Sequence, residues 1–328
     1  MGLKRSYLRV IDLNTGLYLQ DNYKVTPRLT LSPGVRWDIN PAVREENGLL
    51  NRFDVDSHSL MFPNSLDSYY KIGATTPKIV SLYEDVGVRF KSAAELNKSS
   101  QIFPSNKFDI GPRFGFAYKL FEGKKQTIVR GGYGIYFGPI PMRTLLAQFS
   151  SLAPFRATFS YNPNSAASSP DGISNYLLRN TPDIIAGSNS AKAVDINTPN
   201  AIARGASVLG MAPDMPDLKI HEWNLMIEKM LNVGTAFRLR YNGKHGVNSD
   251  QLDNINPTQT DYMWYTTTGL QLPTGAFSNV GRRPYDQTAY TDVRLLAKTG
   301  FINTETFTIE MERRFNKGLG FQVFYITP

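Results

Sequence analysis

Phe108-Asp109-Ile110-Gly111-Pro112-Arg113-Phe114-Gly115-Phe116-Ala117-Tyr118-Lys119-Leu120 alternates without a fault. Phe108, Ile110, Pro112, Phe114, Phe116, Tyr118 and Leu120 share one parity, and Asp109, Gly111, Arg113, Gly115, Ala117 and Lys119 share the other. Successive side chains of a strand point to opposite faces, so the stretch predicts a strand with one apolar and one wet face. Its thirteen residues exceed the usual length of about five or six.

The same alternation recurs on either side. Leu29, Leu31, Pro33, Val35, Trp37 and Ile39 oppose Thr30, Ser32, Gly34, Arg36 and Asp38, and Leu17 and Leu19 oppose Tyr18 and Gln20. Thr127, Val129, Gly131, Tyr133, Ile135 and Phe137 oppose Arg130, Gly132, Gly134 and Tyr136. Trp223, Leu225 and Ile227 oppose Glu222, Asn224 and Glu228, and Phe237, Leu239 and Tyr241 oppose Arg238, Arg240 and Asn242. Near the end Phe307, Ile309 and Met311 oppose Thr306, Thr308 and Glu310, and Leu319, Phe321, Val323 and Tyr325 oppose Gly320 and Gln322. Ile128, Met226, Phe324 and Ile326 break the pattern on the wet parity. The reading is about eight long strands in four hairpins, near 15–39, 108–137, 218–243 and 301–327.

Within each pair the connection is short and polar: Thr26-Pro27-Arg28, Glu122-Gly123-Lys124-Lys125, Asn232-Val233-Gly234 and Asn316-Lys317-Gly318. Gly, Asn and Pro supply the dihedrals of tight turns there. Between pairs lie long stretches near 40–107, 138–217 and 245–300, rich in Pro, Ser, Asn and Gly. Loops beyond about 12 to 15 residues are uncommon in compact soluble domains. Short turns at one end and long loops at the other are the layout of an outer-membrane barrel, with turns in the periplasm and loops outside the cell. Trp37, Tyr133, Trp223, Tyr241 and Tyr325 fall on the apolar parity, roughly 8 to 10 residues from their turns. At about 3.3 Å per residue and a tilt near 40° they rise ~20–25 Å above the turns, the height of a barrel's apolar band. These five are the candidate membrane-interface aromatics, and Tyr23, Tyr118 and Phe315 near the turns would form a lower girdle. The opposite parity places Arg36, Asp38, Asp109, Arg113, Arg130, Glu222, Glu228, Arg238, Arg240, Glu310 and Glu312 towards the lumen, where mixed charge pairs with itself or with a plug.

The fold class is therefore all-β, an antiparallel transmembrane β-barrel segment. The competing expectation is a soluble β-sandwich binding or adhesion module whose long loops hold a ligand. The two differ in the fate of the apolar parity, which meets lipid in one and a second sheet in the other.

At this point the residues resemble a family. Tyr18-Leu19-Gln20-Asp21-Asn22-Tyr23-Lys24-Val25-Thr26-Pro27-Arg28-Leu29-Thr30-Leu31, followed by Gly34-Val35-Arg36-Trp37, is similar to the "YxQDxWKVxPRLTLxxGLRYE" strand pair of TonB-dependent outer-membrane receptors, especially the Oar-like branch. Gly111–Tyr118, Val129–Phe137, Glu222–Leu225, Tyr241–Gly246, Arg282–Tyr285 and Glu312–Leu319 agree in the same order. The resemblance implies a barrel of about 22 strands filled by an N-terminal plug. It implies import of large substrates such as iron chelates or oligosaccharides, with energy relayed by TonB. Its partners would be outer-membrane lipid, the plug domain and TonB complex of the full-length protein, and an unknown large substrate. Against that pattern the sequence carries about eight strands, no plug domain and no terminal aromatic strand, which predicts an internal piece of a receptor barrel spanning 1–328. An arc of this kind has two open edges, which lipid does not tolerate.

Composition excludes other classes. The chain has 328 residues, 36 Lys+Arg against 28 Asp+Glu, a net charge of +8, 12 % aromatics and no Cys. A disulfide scaffold, a Cys-ligated metal and a thiol nucleophile are ruled out. The basic balance and aromatics would suit nucleic acid, but the cations alternate with acids along strands and form no patch, so no nucleic-acid partner is expected. The mean hydropathy of −0.30 fits soluble proteins and half-apolar barrel strands alike. The start, Met1–Tyr7, has no apolar run after its basic residues, so no signal peptide is expected. His58, His221 and His245 form no His-Glu-x-x-His pair, and nucleophile-elbow, Walker and dinucleotide motifs are absent, so neither an enzyme nor a cofactor is expected. Asp54/Asp56 and Asp214/Asp217 could hold a loop Ca²⁺ or form solvated acidic loops. Pro139–Phe149 predicts a short helix with Met142, Leu145, Leu146 and Phe149 on one side, either packed or gating.

Overall fold

The computed structural model describes residues 8–121, 123, 125–149, 153–155, 206–270, 282–316 and 318–327. Its main feature is a curled sheet whose staves follow one another in chain order. They are β2 (Thr15–Gln20) with its continuation β3 (Tyr23–Lys24), β4 (Leu29–Asn40), β9 (Asn106–Phe121), β10 (Thr127–Gly138), β12 (Leu218–Asn232), β13 (Thr235–Asn254), β14 (Tyr290–Asn316) and β15 (Leu319–Thr327). Every neighbouring pair is antiparallel.

The turns explain why the hairpins close where they do. Gly123, Gly234 and Gly318 all take positive φ, a conformation that costs a side-chain-bearing residue free energy. In the first turn the Thr26 hydroxyl instead accepts the backbone N–H groups of Arg28 (3.2 Å) and Leu29 (3.0 Å). Residues 122, 124 and 317 of the expected turns lie outside the described residues.

On these staves burial is inverted relative to a soluble sheet. Leu17, Leu19, Val35, Trp37, Ile110, Phe114, Leu225, Ile227, Ile309 and Val323 are exposed, Leu19 at 75 %. Arg36, Asp38, Glu228 and Arg238 are half-buried and Glu310 is buried. A sandwich would bury the apolar parity under a second sheet. Here that parity is the outer surface, as a lipid-facing wall requires, and the sandwich expectation fails. Ile128, Met226, Phe324 and Ile326 follow the inward parity, paired in register with Glu228, Arg240, Glu310 and Thr308.

The stretches read as long irregular loops hold the molecule's packed core instead. Residues 40–107 form β5 (Arg44–Glu45), which pairs with β1 (Val10–Ile11), then β6 (Arg52–Asp54), β7 (Ser59–Phe62), α1 (Leu66–Ile72), α2 (Pro77–Asp85) and β8 (Phe90–Ser92). β11 (Ala206–Met211) runs parallel to the upper part of β14 and extends the sheet through β6 and β7 to β8. Here β11 pairs parallel with both β14 and β6, and β7 with β8, while β6 and β7 are antiparallel like the staves. Strands of two to six residues and helices of seven to nine are too short to show a period, which is why this cap was not legible. Thr76 caps α2 by accepting the Ile79 N–H, Pro77 sits at its first turn, and Ile79, Val80, Leu82 and Tyr83 are buried. Phe53, Leu60, Phe62, Tyr69, Phe90, Val208, Val293 and Leu296 belong to the same core, and Tyr69 and Phe155 meet edge-on at 4.9 Å. Burying each such side chain contributes about 1.5–3 kcal/mol.

β13 runs on to Asn254 and β14 begins at Tyr290, so this hairpin rises well above its neighbours to carry the cap. The stretch 245–300 also holds α4 (Asp261–Thr268), while residues 271–281 lie outside the described residues. The helix expected after Pro139 is α3 (Met142–Phe149), with Leu145 and Phe149 buried and Phe149 edge-on to Phe103 at 5.2 Å. Residues 156–205 of the second long stretch lie outside the described residues.

The cap gives the first expected outcome. Tyr69 is buried, and its hydroxyl donates to the Gly48 carbonyl at 2.8 Å; Tyr285 donates to Val55 at 2.7 Å. Burial pushes both phenols up to about 12. A folded-state value raised above the unfolded one means stability that is complete below about pH 10 and lost as pH rises towards about 12. In an alkaline titration these two tyrosines ionise late, together with loss of the cap's near-ultraviolet dichroism. Ionisation at the ordinary value with the dichroism intact would refute this.

Candidate functional site

The inner face is built by register. Pairing of β12, β13 and β14 puts Glu228, Arg238 and Glu310 in one row, with Arg240 beside Met226 and Thr308 in the next inward row. The Arg238 fork donates to Glu228 Oε2 (2.8 Å), Glu310 Oε1 (2.9 Å) and Glu312 Oε2 (2.7 Å). Gln322 on β15 donates to Glu310 at 2.8 Å, and Arg240 lies 3.9 Å from Glu310 and 3.8 Å from the Met226 sulfur. One planar guanidinium thus joins three carboxylates across three staves, a geometry a lysine's point charge would not reproduce.

The other inward candidates stand apart from this row. Arg36 grips both oxygens of Asp38, two residues on, at 2.8 and 3.0 Å. Glu222 is opposite Lys244 at 3.9 Å. The Arg113 guanidinium lies 4.5 Å over the Tyr136 ring, and Arg130 is exposed on the inner face. Gln322, Lys244 and Tyr136 complete these contacts; all three share the inward parity readable along the chain, and only the register shows which charge each meets. Between the charged rows, Ser32, Gly132, Gly134, Arg113, Glu222 and Asn224 line a shallow depression of about 280 Å³, where glycines thin the wall.

At the loop end of this wall, Asp217 accepts from Asn40 (2.8 Å) and Asn106 (2.7 Å), and Asn40 also donates to Asp109 at 3.3 Å. Asp54 and Asp56 both bind the Lys98 ammonium, which takes the place a cation would have. Burial opposes the Asp54 charge, but Lys98 and Ser57 outweigh it and hold the carboxyl below its ordinary value. Among the described residues no cluster of three or more His, Asp or Glu could hold a metal ion.

On the outer face Trp37 stacks on Phe108 (6.1 Å) and donates its indole N–H to the Lys107 carbonyl at 2.7 Å. Tyr133 is paired with Trp223, whose indole lies over Gly243 so closely that any side chain there would collide with it. Tyr241 lies between Leu225 and Phe307, one outward row nearer the turns, and Tyr325 is opposite Ile309 on β15. The register thus brings Tyr133 and Trp223 together and distributes Trp37, Tyr241 and Tyr325 over other staves.

Comparison with known proteins follows the same lines. Residues 4–326 match the family model described as an outer membrane beta barrel domain. Among solved structures, the siderophore receptor PirA from Pseudomonas aeruginosa is 11 % identical, with 96 % of this chain and 34 % of that one covered and a TM-score of 0.38. The outer membrane transporter YddB from Escherichia coli is 12 % identical, covering 92 % of this chain and 21 % of that one, with a TM-score of 0.38. The Serratia marcescens hemophore receptor HasR, solved with its hemophore HasA and heme, is 9 % identical, covering 96 % and 33 %, with a TM-score of 0.36. The chain thus spans between 21 % and 34 % of the length of these structures. No curated protein matches it. The chain belongs to the outer membrane β-barrel domain family, which makes it a stretch of barrel wall in the bacterial outer membrane.

Proposed function

We propose that this stretch of wall belongs to a TonB-dependent transporter of the Oar-like branch that takes up large substrates such as iron chelates or oligosaccharides. The reading rests on the blocks Tyr18–Trp37, Gly111–Tyr118 and Val129–Phe137, and the observation that carries it furthest is the inner wall. Arg238 with its three carboxylates, Arg36 with Asp38 and Glu222 with Lys244 are charges satisfied along the wall itself. They leave a polar, self-paired lining suited to a wide lumen holding a plug. Arg36, Asp38, Arg113, Arg130, Glu222, Glu228, Arg238, Arg240 and Glu310 line that lumen on this reading, and Trp37, Tyr133, Trp223, Tyr241 and Tyr325 lie at the outer interface with lipid. Residues 1–328 then form a partial barrel domain, completed in the full-length protein by further staves, the plug and the TonB complex. The cap built by β6, β7, β8 and β11 is where substrate arrives.

The test is uptake in the native host. Deletion of the gene and deletion of tonB should abolish accumulation of the same labelled iron chelate or oligosaccharide, each by more than about tenfold. Accumulation that needs the gene but persists without TonB would indicate a passive pore and overturn the proposal.

A further inference from the structure

His221 and His245 lie 24 positions apart in sequence, but the register of β12 and β13 sets them directly opposite one another. Both share the parity of Trp223 and Tyr241 and so project from the outer face, on the loop side of the aromatic row. Their ring centroids are 6.4 Å apart and the rings are inclined by 42°. Each ring is held from behind by a different stave. The Nδ1 atom of His221 lies 2.6 Å from the Tyr133 hydroxyl on β10, and the Nδ1 atom of His245 lies 2.5 Å from Asn303 Oδ1 on β14.

The Asn303 amide oxygen can only accept, so His245 donates Nδ1–H and keeps its lone pair on Nε2, and His221 does the same in the tautomer that donates Nδ1–H to the Tyr133 oxygen. That is the tautomer in which histidine ligates metals, oriented by a partner on the other nitrogen. We propose that His221 and His245 form a two-imidazole site for a late transition-metal ion, of the Zn²⁺, Cu²⁺ or Ni²⁺ class, on the outer face of the barrel wall. Imidazole nitrogens favour these ions over Mg²⁺ or Ca²⁺. With metal–nitrogen bonds of about 2.0–2.1 Å, the two ring centres would stand about 5–5.5 Å apart around a tetrahedral ion, a closure of about 1 Å. Turning the two rings towards a shared ion would supply that closure. Water fills the remaining positions, and the bound ion pins β12 to β13 just beyond the aromatic row.

Trp223, two residues from His221 and paired with Gly243, is a built-in reporter. The experiment uses the untagged protein extracted from outer membranes in detergent and titrated with Cu²⁺ alone, read by tryptophan quenching and electron paramagnetic resonance. The expected result is one saturable site whose spectrum shows two imidazole nitrogens. Saturable quenching should disappear in His221→Gln and in His245→Gln. It should weaken by about tenfold or more in Asn303→Leu, which removes the supporting acceptor, and persist in Asn303→Asp, which keeps it. His58→Asn should change nothing, since His58 lies in the cap with φ 51°, a conformation Asn tolerates. Saturable quenching that survives in the His221→Gln/His245→Gln variant, or a wild-type spectrum with fewer than two nitrogens, would overturn the proposal. The wild-type spectrum decides the matter even where a variant fails to fold.

Discussion

Ile227→Lys is expected to destabilise the protein by about 2 to 4 kcal/mol, whereas Asn224→Lys, three residues away on the same strand, costs less than about 1 kcal/mol. Ile227 is exposed on the outer face, and it lies five residues above Asn232, the last residue of β12 before its turn. At about 3.3 Å per residue and a tilt near 40° that is ~13 Å up, the middle of an apolar band about 25 Å tall. A lysine there places its ammonium in hydrocarbon, too far from either surface to reach water without distorting the wall. Asn224 faces the lumen beside the shallow depression, where an ammonium stays hydrated. Urea titration of the protein in phospholipid vesicles measures the difference. Equal costs at the two positions, or none at either, would mean that the apolar parity does not face lipid.

Arg238→Ala is expected to cost about 2 to 3 kcal/mol. Removing the guanidinium leaves Glu228, Glu310 and Glu312 facing one another with their common partner gone. Breaking a fully buried ion pair from one side costs about 3 to 5 kcal/mol, because the stranded charge stays desolvated. The Arg238 side chain is 21 % exposed and that of Glu312 33 %, so lumen water lessens the penalty. Arg238→Lys should recover part of the loss but not all, since one ammonium cannot span the three acceptors that the fork reaches. Adding Glu310→Gln to Arg238→Ala should restore stability by removing the repulsion. If the double variant is no more stable than Arg238→Ala, the three carboxylates are not coupled through the arginine.

Much of the wall was legible because strand parity is a local property. The alternation in Phe108–Leu120 and its relatives needs only the two-residue period of an extended chain, and the exposed Val35, Ile110, Leu225 and Ile309 follow from it. The inward charges were legible for the same reason, one residue at a time. Which of them meet was not, because a one-residue change in pairing between β12, β13 and β14 would separate Arg238 from Glu228 and Glu310. His221 and His245 looked like isolated residues in two different blocks. The cap at 40–107 was missed because its strands run from two to four residues, and its stability comes from packing Phe53, Phe62, Tyr69 and Phe90 together rather than from any period along the chain.

The sequence by itself thus determined an outer-membrane barrel wall, its apolar and wet faces, and the four turns that close its hairpins, since each depends on side-chain parity or on turn residues close together in the chain. Only the tertiary structure decided the three-carboxylate grip of Arg238, the facing imidazoles of His221 and His245, and the folded cap. Those contacts join residues tens to hundreds of positions apart, and the hydrogen-bond register between staves, which no local pattern encodes, brings them together.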